Sequence, residues 1–220
     1  MSEIVTIDGP LGPFKIPTGV HPRTREVCEQ LSRQVFAGEY DAPELPGSVR
    51  DVIDIGAGWG AFAVWGIARW PGINLTCYEP HEAAAAVLCE NLAEIHYPGP
   101  VGAVHAIRRA VTTNPNPKLN GCEDWGAYHV APPDDTCAWP VPVVHPRELL
   151  PCDVLKVDAE GCEGEILEHY RHVAKCRALL IEWHSPELRR RTNAVALRNG
   201  FRCVKCPVVD VSFGVSIWVK

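Results

Sequence analysis

The stretch DVIDIGAGWGAF, residues 51–62, runs from a short Val/Ile-rich segment straight into Gly56, Gly58 and Gly60. A segment of that kind reads as a buried strand, and glycines after it let backbone amides approach a ligand with no Cβ in the way. The following AFAVWGIARWPG has helical spacing of apolar residues, so the stretch reads as strand, glycine turn, helix.

Working outward, apolar runs at 74–78, 104–107, 153–157 and 179–183 have the same short, branched character. Helical spacing separates most of them, in HEAAAAVLCENLAEIHY and EGEILEHYRHVAKC. Such alternation predicts βαβ units in a doubly wound, mostly parallel α/β sheet. SPELRRRTNAVALRNG carries Ser185 as cap, Pro186 in the first turn and Gly200 past the end, which predicts a helix. FRCVKCPVVDVSFGVSIWVK then reads as a C-terminal antiparallel strand pair closing one edge. Upstream, VTIDGPLGPFKIP predicts a hairpin or extended arm and REVCEQLSRQVFAG a helix. The expected organisation is an arm and helix over 1–50, packing on a cofactor cleft, and a main domain over 51–220 with an irregular insertion at 112–140.

Composition narrows the function. A formal charge of -6 argues against a protein that neutralises many phosphates, so nucleic acid is not the expected partner. RRR at 189–191 is a local exception that fans around a helix as a solvated face. No run approaches the roughly 20 apolar residues of a membrane span, and MSEIVTIDGPLGPF lacks a basic-then-apolar signal pattern, so a cytoplasmic protein is expected. The ten cysteines then read as reduced, mostly buried thiols. Cys203 and Cys206 form the one CxxC, whose side chains diverge if it lies on a strand, and no second pair at ligand spacing suggests zinc.

In a doubly wound sheet, ligands sit at the carboxyl ends of the strands. The glycine pattern alone also satisfies the Ala form of a dinucleotide fingerprint, Gly56-x-Gly58-x-x-Ala61, and a turn that binds nothing is a further reading. Asp54, two residues before Gly56, suits a ligand ammonium or an ordered water and ill suits a pyrophosphate. Glu79, at the end of the second parallel strand, suits a ribose diol. A ribose plus an amino-acid group describes S-adenosylmethionine.

VIDIGAGWGAFAVWGIARWPGINLTCYEPHEAAAAVLCENL, followed by DVLKVDAEGCEGEIL and LLIEWH, resembles the FkbM-type family of S-adenosylmethionine-dependent methyltransferases over roughly residues 36–219. The resemblance implies a class I methyltransferase (Rossmann-like) fold with a seven-stranded sheet, and O-methylation of a sugar or other small hydroxylated acceptor. It assigns Asp54, Gly56, Gly58 and Gly60, with Ala57 and Trp59 between them, to the cofactor loop, Glu79 to the ribose and Ala110 to the adenine edge. The resemblance also implies that Tyr40, in GEYD, folds over the cofactor side, with packing on the core edge as the other reading. Trp59 and the Pro-rich insertion depart from the family pattern, so acceptor identity is the property they affect.

A second constellation lies at the same edge. Asp158 and Glu160 follow the fourth parallel strand, and Glu182 and His184 end the fifth. Methyl transfer to an alcohol needs in-line alignment and removal of a proton, work for a carboxylate or imidazole. Asp158 leads as base, with His184 and Glu182 next. The same residues can instead hold a divalent cation, through Asp158, Glu182 and His184, or be structural. Lys156 reads as a paired core lysine, and Glu163 and Glu165 as acids complementing a helix dipole. Trp125 and His129, in the insertion, are candidate acceptor-pocket residues. The expected partner is a small-molecule acceptor; homo-oligomerisation stays open.

Overall fold

The computed structural model describes residues 4–17, 22–97, 99, 102–120, 129–130, 139–207 and 212–220. In chain order its elements are β1 (Ile4–Gly9), β2 (Gly12–Pro17), α1 (Pro22–Phe36), β3 (Asp51–Ile55), α2 (Ala61–Arg69), β4 (Asn74–Tyr78), α3 (Glu82–Glu94) and β5 (Val104–Ile107). Short strands follow: β6 (Ala110–Val111), β7 (Lys118–Asn120), β8 (His129–Val130), β9 (Trp139–Pro140) and β10 (Val143–Val144). The chain ends with β11 (Val154–Val157), α4 (Glu163–His169), β12 (Ala178–Trp183), α5 (Pro186–Arg198), β13 (Arg202–Lys205) and β14 (Gly214–Val219).

Seven strands form the central sheet in the order β5-β4-β3-β11-β12-β14-β13. β5 to β12 are mutually parallel, and β14 runs antiparallel between β12 and β13, as the tail sequence predicts. From β3 the chain winds to one side through β4 and β5, then returns to β11 and winds to the other. The carboxyl ends of β3 and β11 therefore flank the switch point where such sheets bind ligands.

Alternation along the strands separates two cores. Val52 and Val154 face a cluster with Phe62, Leu75 and Leu88, which the hairpin extends through Ile7, Phe14 and Ile16. Ile53, Ile55, Leu155 and Val157 face the other, with Ile166 and Leu167 of α4 and Val195 of α5. Asp54 and Lys156 lie at positions of the first kind and are paired in register, so one acid and one base meet side by side inside that layer.

Local signals work where they were expected. Ser185 Oγ accepts from Leu188 N at 3.1 Å, and Gly200 takes φ 81° past α5. The arm is tied to α3 and the glycine loop by Asn91, which accepts from Lys15 N at 2.7 Å and donates to Trp59 O at 2.8 Å. β11 starts one residue later than the apolar run because Asp153 turns its carboxylate to Arg50 N and Asp51 N. The helix expected across EGEILEHYRHVAKC stops at His169, where Tyr170 leaves helical geometry and is buried with its hydroxyl on Leu150 O.

Among the described residues of 112–140, β8, β7 and β9 form an antiparallel trio, and just outside that range β6 pairs with β10. Trp125 lies outside the described residues, and of His129 only the backbone is described. The eight described cysteines are free and mostly buried. β13 ends at Lys205, so Cys203 alone of the CxxC pair lies on a strand, and Cys206 Sγ accepts from Arg189 at 3.4 Å. Among the described residues no helix is long and apolar enough to cross a membrane.

Candidate active site

The glycine loop forms where β3 runs out. Gly56 N and Ala57 N both donate to Tyr78 O, at 2.9 and 3.1 Å, which pins the loop to the end of β4. Gly56 (φ 72°) is in the left-handed region and packs directly on β11: a Cβ there would stand 1.6 Å from the Asp158 carbonyl oxygen. Gly58 (φ 54°) has nothing within 4 Å of such a Cβ, so its bare backbone is left for something else to approach.

Glu79 sits just past β4, and Gly58 N and His81 N each donate to its carboxylate at 2.8 Å. Burial outweighs these hydrogen bonds and pushes its pKa up from 4.5 to about 7. The native state thus keeps a proton that the unfolded chain gives up. Between pH 4.5 and 7 this group makes stability fall as pH rises, by roughly 3 kcal/mol in total. Urea unfolding at pH 5 and pH 7 is expected to show a smaller drop for Glu79→Gln than for the wild type; equal drops would disprove the assignment.

Opposite the loop, β11 ends in Lys156 and Asp158. The Lys156 ammonium donates to Gly56 O at 2.6 Å and pairs with Asp54 at 3.2 Å and Asp158 at 3.4 Å. Burial disfavours its charge, but the Asp54 and Asp158 carboxylates outweigh that and raise its pKa. Glu160 then takes φ 45°, the one described non-glycine residue with positive φ. The tight turn is held by fully buried Glu163, whose Oε1 accepts from Ala159 N at 3.1 Å, from Gly161 N at 3.0 Å and lies 2.9 Å from His184 Nδ1. His184 Nε2 faces Glu160 at 3.4 Å, Asp158 at 3.7 Å and Glu182 at 3.9 Å. Burial disfavours the imidazolium, yet the Glu163 hydrogen bond and the Asp158 and Glu160 charges raise its pKa to about 10. Burial and the Asp158 charge raise Glu160 to about 7 and Glu182 to about 8. Tyr40 donates to Glu182 at 3.2 Å. The turn carrying Tyr40 is strapped down by Lys205, whose ammonium donates to the carbonyls of Gly38, Glu39 and Asp41 at 2.8, 2.9 and 3.0 Å.

These groups surround one cavity of about 530 Å³. Of the residues the sequence nominates, Gly56, Ala57, Gly58, Trp59, Glu79 and Ala110 line it on the loop side, and Tyr40, Asp158, Glu160, Glu182 and His184 on the other. Asp54 and Gly60 do not line it. Asp54 is fully buried because its strand position points it into the helix layer, so its partner is Lys156 rather than a ligand ammonium. Gly60 instead starts α2 with φ 98°, against Leu88. Sequence reasoning also missed Glu163, Lys205 and the α1 face. Val27 and Leu31 of that face line the cavity although they are exposed, and apolar residues left outside α1's buried stripe were the available signal. Among the described residues the converging metal-ligand group is Asp158, Glu160 and His184, with Glu160 in the place expected for Glu182.

No protein-family model and no curated protein matches the chain. Solved structures do match its fold. Precorrin-6y C5,15-methyltransferase from Geobacter metallireducens GS-15 aligns with a TM-score of 0.51 at 10% identity, over 93% of this chain and 94% of that one. Magnesium protoporphyrin IX methyltransferase (ChlM) from Synechocystis PCC 6803, solved with bound SAH, aligns with a TM-score of 0.50 at 13% identity, over 90% and 85%. The chain has the class I methyltransferase fold.

Proposed function

We propose that the protein is an S-adenosylmethionine-dependent methyltransferase of the FkbM type that methylates oxygen on a small hydroxylated acceptor. The observation that carries this reading is the cavity walled by the glycine loop and Glu79 on one side and by Asp158, Glu160, Glu182 and His184 on the other. Its volume of about 530 Å³ falls in the range of small-molecule sites. The residues suit the cofactor: open space above Gly58 accepts the methionine part, and Glu79 can accept from two ribose hydroxyls.

Bound S-adenosylmethionine supplies an electrophilic methyl group. The chain's own residues align the acceptor and take its proton. Glu182 is the general base in this reading, because burial and the Asp158 charge raise its pKa to about 8, toward neutrality, and Tyr40 fixes its orientation. Asp158, in contact with Lys156, stays a charge partner rather than the leading base. Val27 and Leu31 give the acceptor an apolar ledge.

The test is calorimetric titration with S-adenosylhomocysteine. A micromolar Kd, about -8 kcal/mol, is expected, and Glu79→Gln is expected to weaken it by roughly 10- to 100-fold through loss of charge-assisted hydrogen bonds. No heat and no thermal shift at high micromolar ligand would refute the reading. Tight binding of a nicotinamide dinucleotide in its place would make the loop a dinucleotide site.

A further inference from the structure

We propose that His184 Nε2, Asp158 and Glu160 form a divalent-cation site in the cavity wall, with Glu163 as the buried carboxylate that orients the histidine. Only its use, holding an acceptor hydroxyl beside the methyl donor, rests on the methyltransferase reading.

The donor atoms of the three residues all lie within 4.8 Å of one another. Nε2 stands 3.4 Å from Glu160 and 3.7 Å from Asp158, beyond the roughly 2.7 to 3.2 Å of a good N–H···O bond. Two ligands bound to one ion at about 2.1 Å each stand roughly 3 to 3.5 Å apart, close to this spacing. Three first ligands on one wall leave the ion's remaining positions open to the cavity, where an acceptor oxygen can bind.

Glu163 is the independent observation. It is fully buried, and its Oε2 has no hydrogen-bond partner among the described residues. Its Oε1 is 2.9 Å from His184 Nδ1. A carboxylate on Nδ1–H fixes the tautomer whose lone pair is on Nε2, the arrangement that orients metal-bound histidines. No lysine or arginine is paired with it among the described residues and His184 is its ion-pair partner, so a cation on Nε2 in place of a proton keeps Glu163 balanced through the ring. One imidazole with two carboxylates suits a hard to borderline ion, and Mn²⁺ is the convenient probe.

The experiment is titration of the full chain with Mn²⁺, with and without S-adenosylhomocysteine, followed by the electron-spin-resonance signal of free Mn²⁺. One bound ion is expected, with its Kd raised at least tenfold by His184→Ala and by Glu160→Gln, and unchanged by Glu90→Gln on the remote face of α3. Bound Mn²⁺ in the wild type should also show electron-spin-echo modulation from a coordinated imidazole nitrogen, a readout that needs no variant to fold. Absence of that modulation, or no stoichiometric binding at millimolar Mn²⁺, overturns the site and means that protonated His184 alone balances the acids. S-adenosylhomocysteine binding without Mn²⁺ binding sinks the cation site and leaves the methyltransferase reading. Imidazole-coordinated Mn²⁺ without S-adenosylhomocysteine binding does the reverse.

Discussion

Gly56→Ala is expected to cost at least about 4 kcal/mol of stability or to prevent folding altogether, a loss of the size reserved for steric conflict inside a packed structure. The added Cβ would stand 1.6 Å from the Asp158 carbonyl oxygen and 2.8 Å from its carbon, and both are backbone atoms that no rotamer change can move. Neither partner is free to retreat. Asp158 N donates to Ile55 O at 3.0 Å, and Gly56 N donates to Tyr78 O at 2.9 Å, so relief means parting the ends of β3 and β11 and breaking the sheet at its switch point. Gly58→Ala is the matched control. It meets nothing within 4 Å and carries only the left-handed penalty of about 1 to 2 kcal/mol, while intruding on the space assigned to the cofactor. Urea unfolding should separate the two variants by several kcal/mol, and Gly58→Ala should fold yet bind S-adenosylhomocysteine more weakly. A Gly56→Ala protein within 1 kcal/mol of the wild type would mean that the loop does not sit against β11 as described.

The contrast between these glycines marks what one sequence can and cannot disclose. That β3 ends in a glycine turn was legible, because the strand, its bounding glycines and the helix after it are local signals. So were the parallel strands and the cap on α5. Which glycine meets backbone and which meets empty space depends on β11, about a hundred residues away. Asp54 shows the same limit. The acid near the loop suggested a ligand contact, but its face follows from strand parity, and its partner from the Lys156↔Asp54 register that neither segment contains alone. Glu163 looked like an ordinary acid at a helix start until β12 brought His184 across from it. The described strands inside 112–140, β7, β8 and β9, are two or three residues long, too short for a period, and exist because of the partners they meet.

Lys156→Met is expected to destabilise the protein by about 3 to 5 kcal/mol, the usual result of removing one partner of a buried ion pair. The Lys156 side chain is 4% exposed and that of Asp54 0%, so water cannot take over the lost contact. Asp54 Oδ2 already lacks a hydrogen-bond partner among the described residues, which leaves the ammonium at 3.2 Å as the main compensation for the buried charge. Most of the loss is then the cost of an orphaned carboxylate, not of a missing lysine. Adding Asp54→Asn to Lys156→Met should then recover at least half of it, since the second change removes the charge the first exposed and keeps its shape. The same cycle read by S-adenosylhomocysteine binding should behave differently. Lys156 also donates to Gly56 O at 2.6 Å, so the double variant regains stability but not the anchored loop, and binding stays weak. A double variant no more stable than Lys156→Met would instead assign the lysine's contribution to Gly56 and Asp158, making Asp54 a bystander in the layer beneath the cavity.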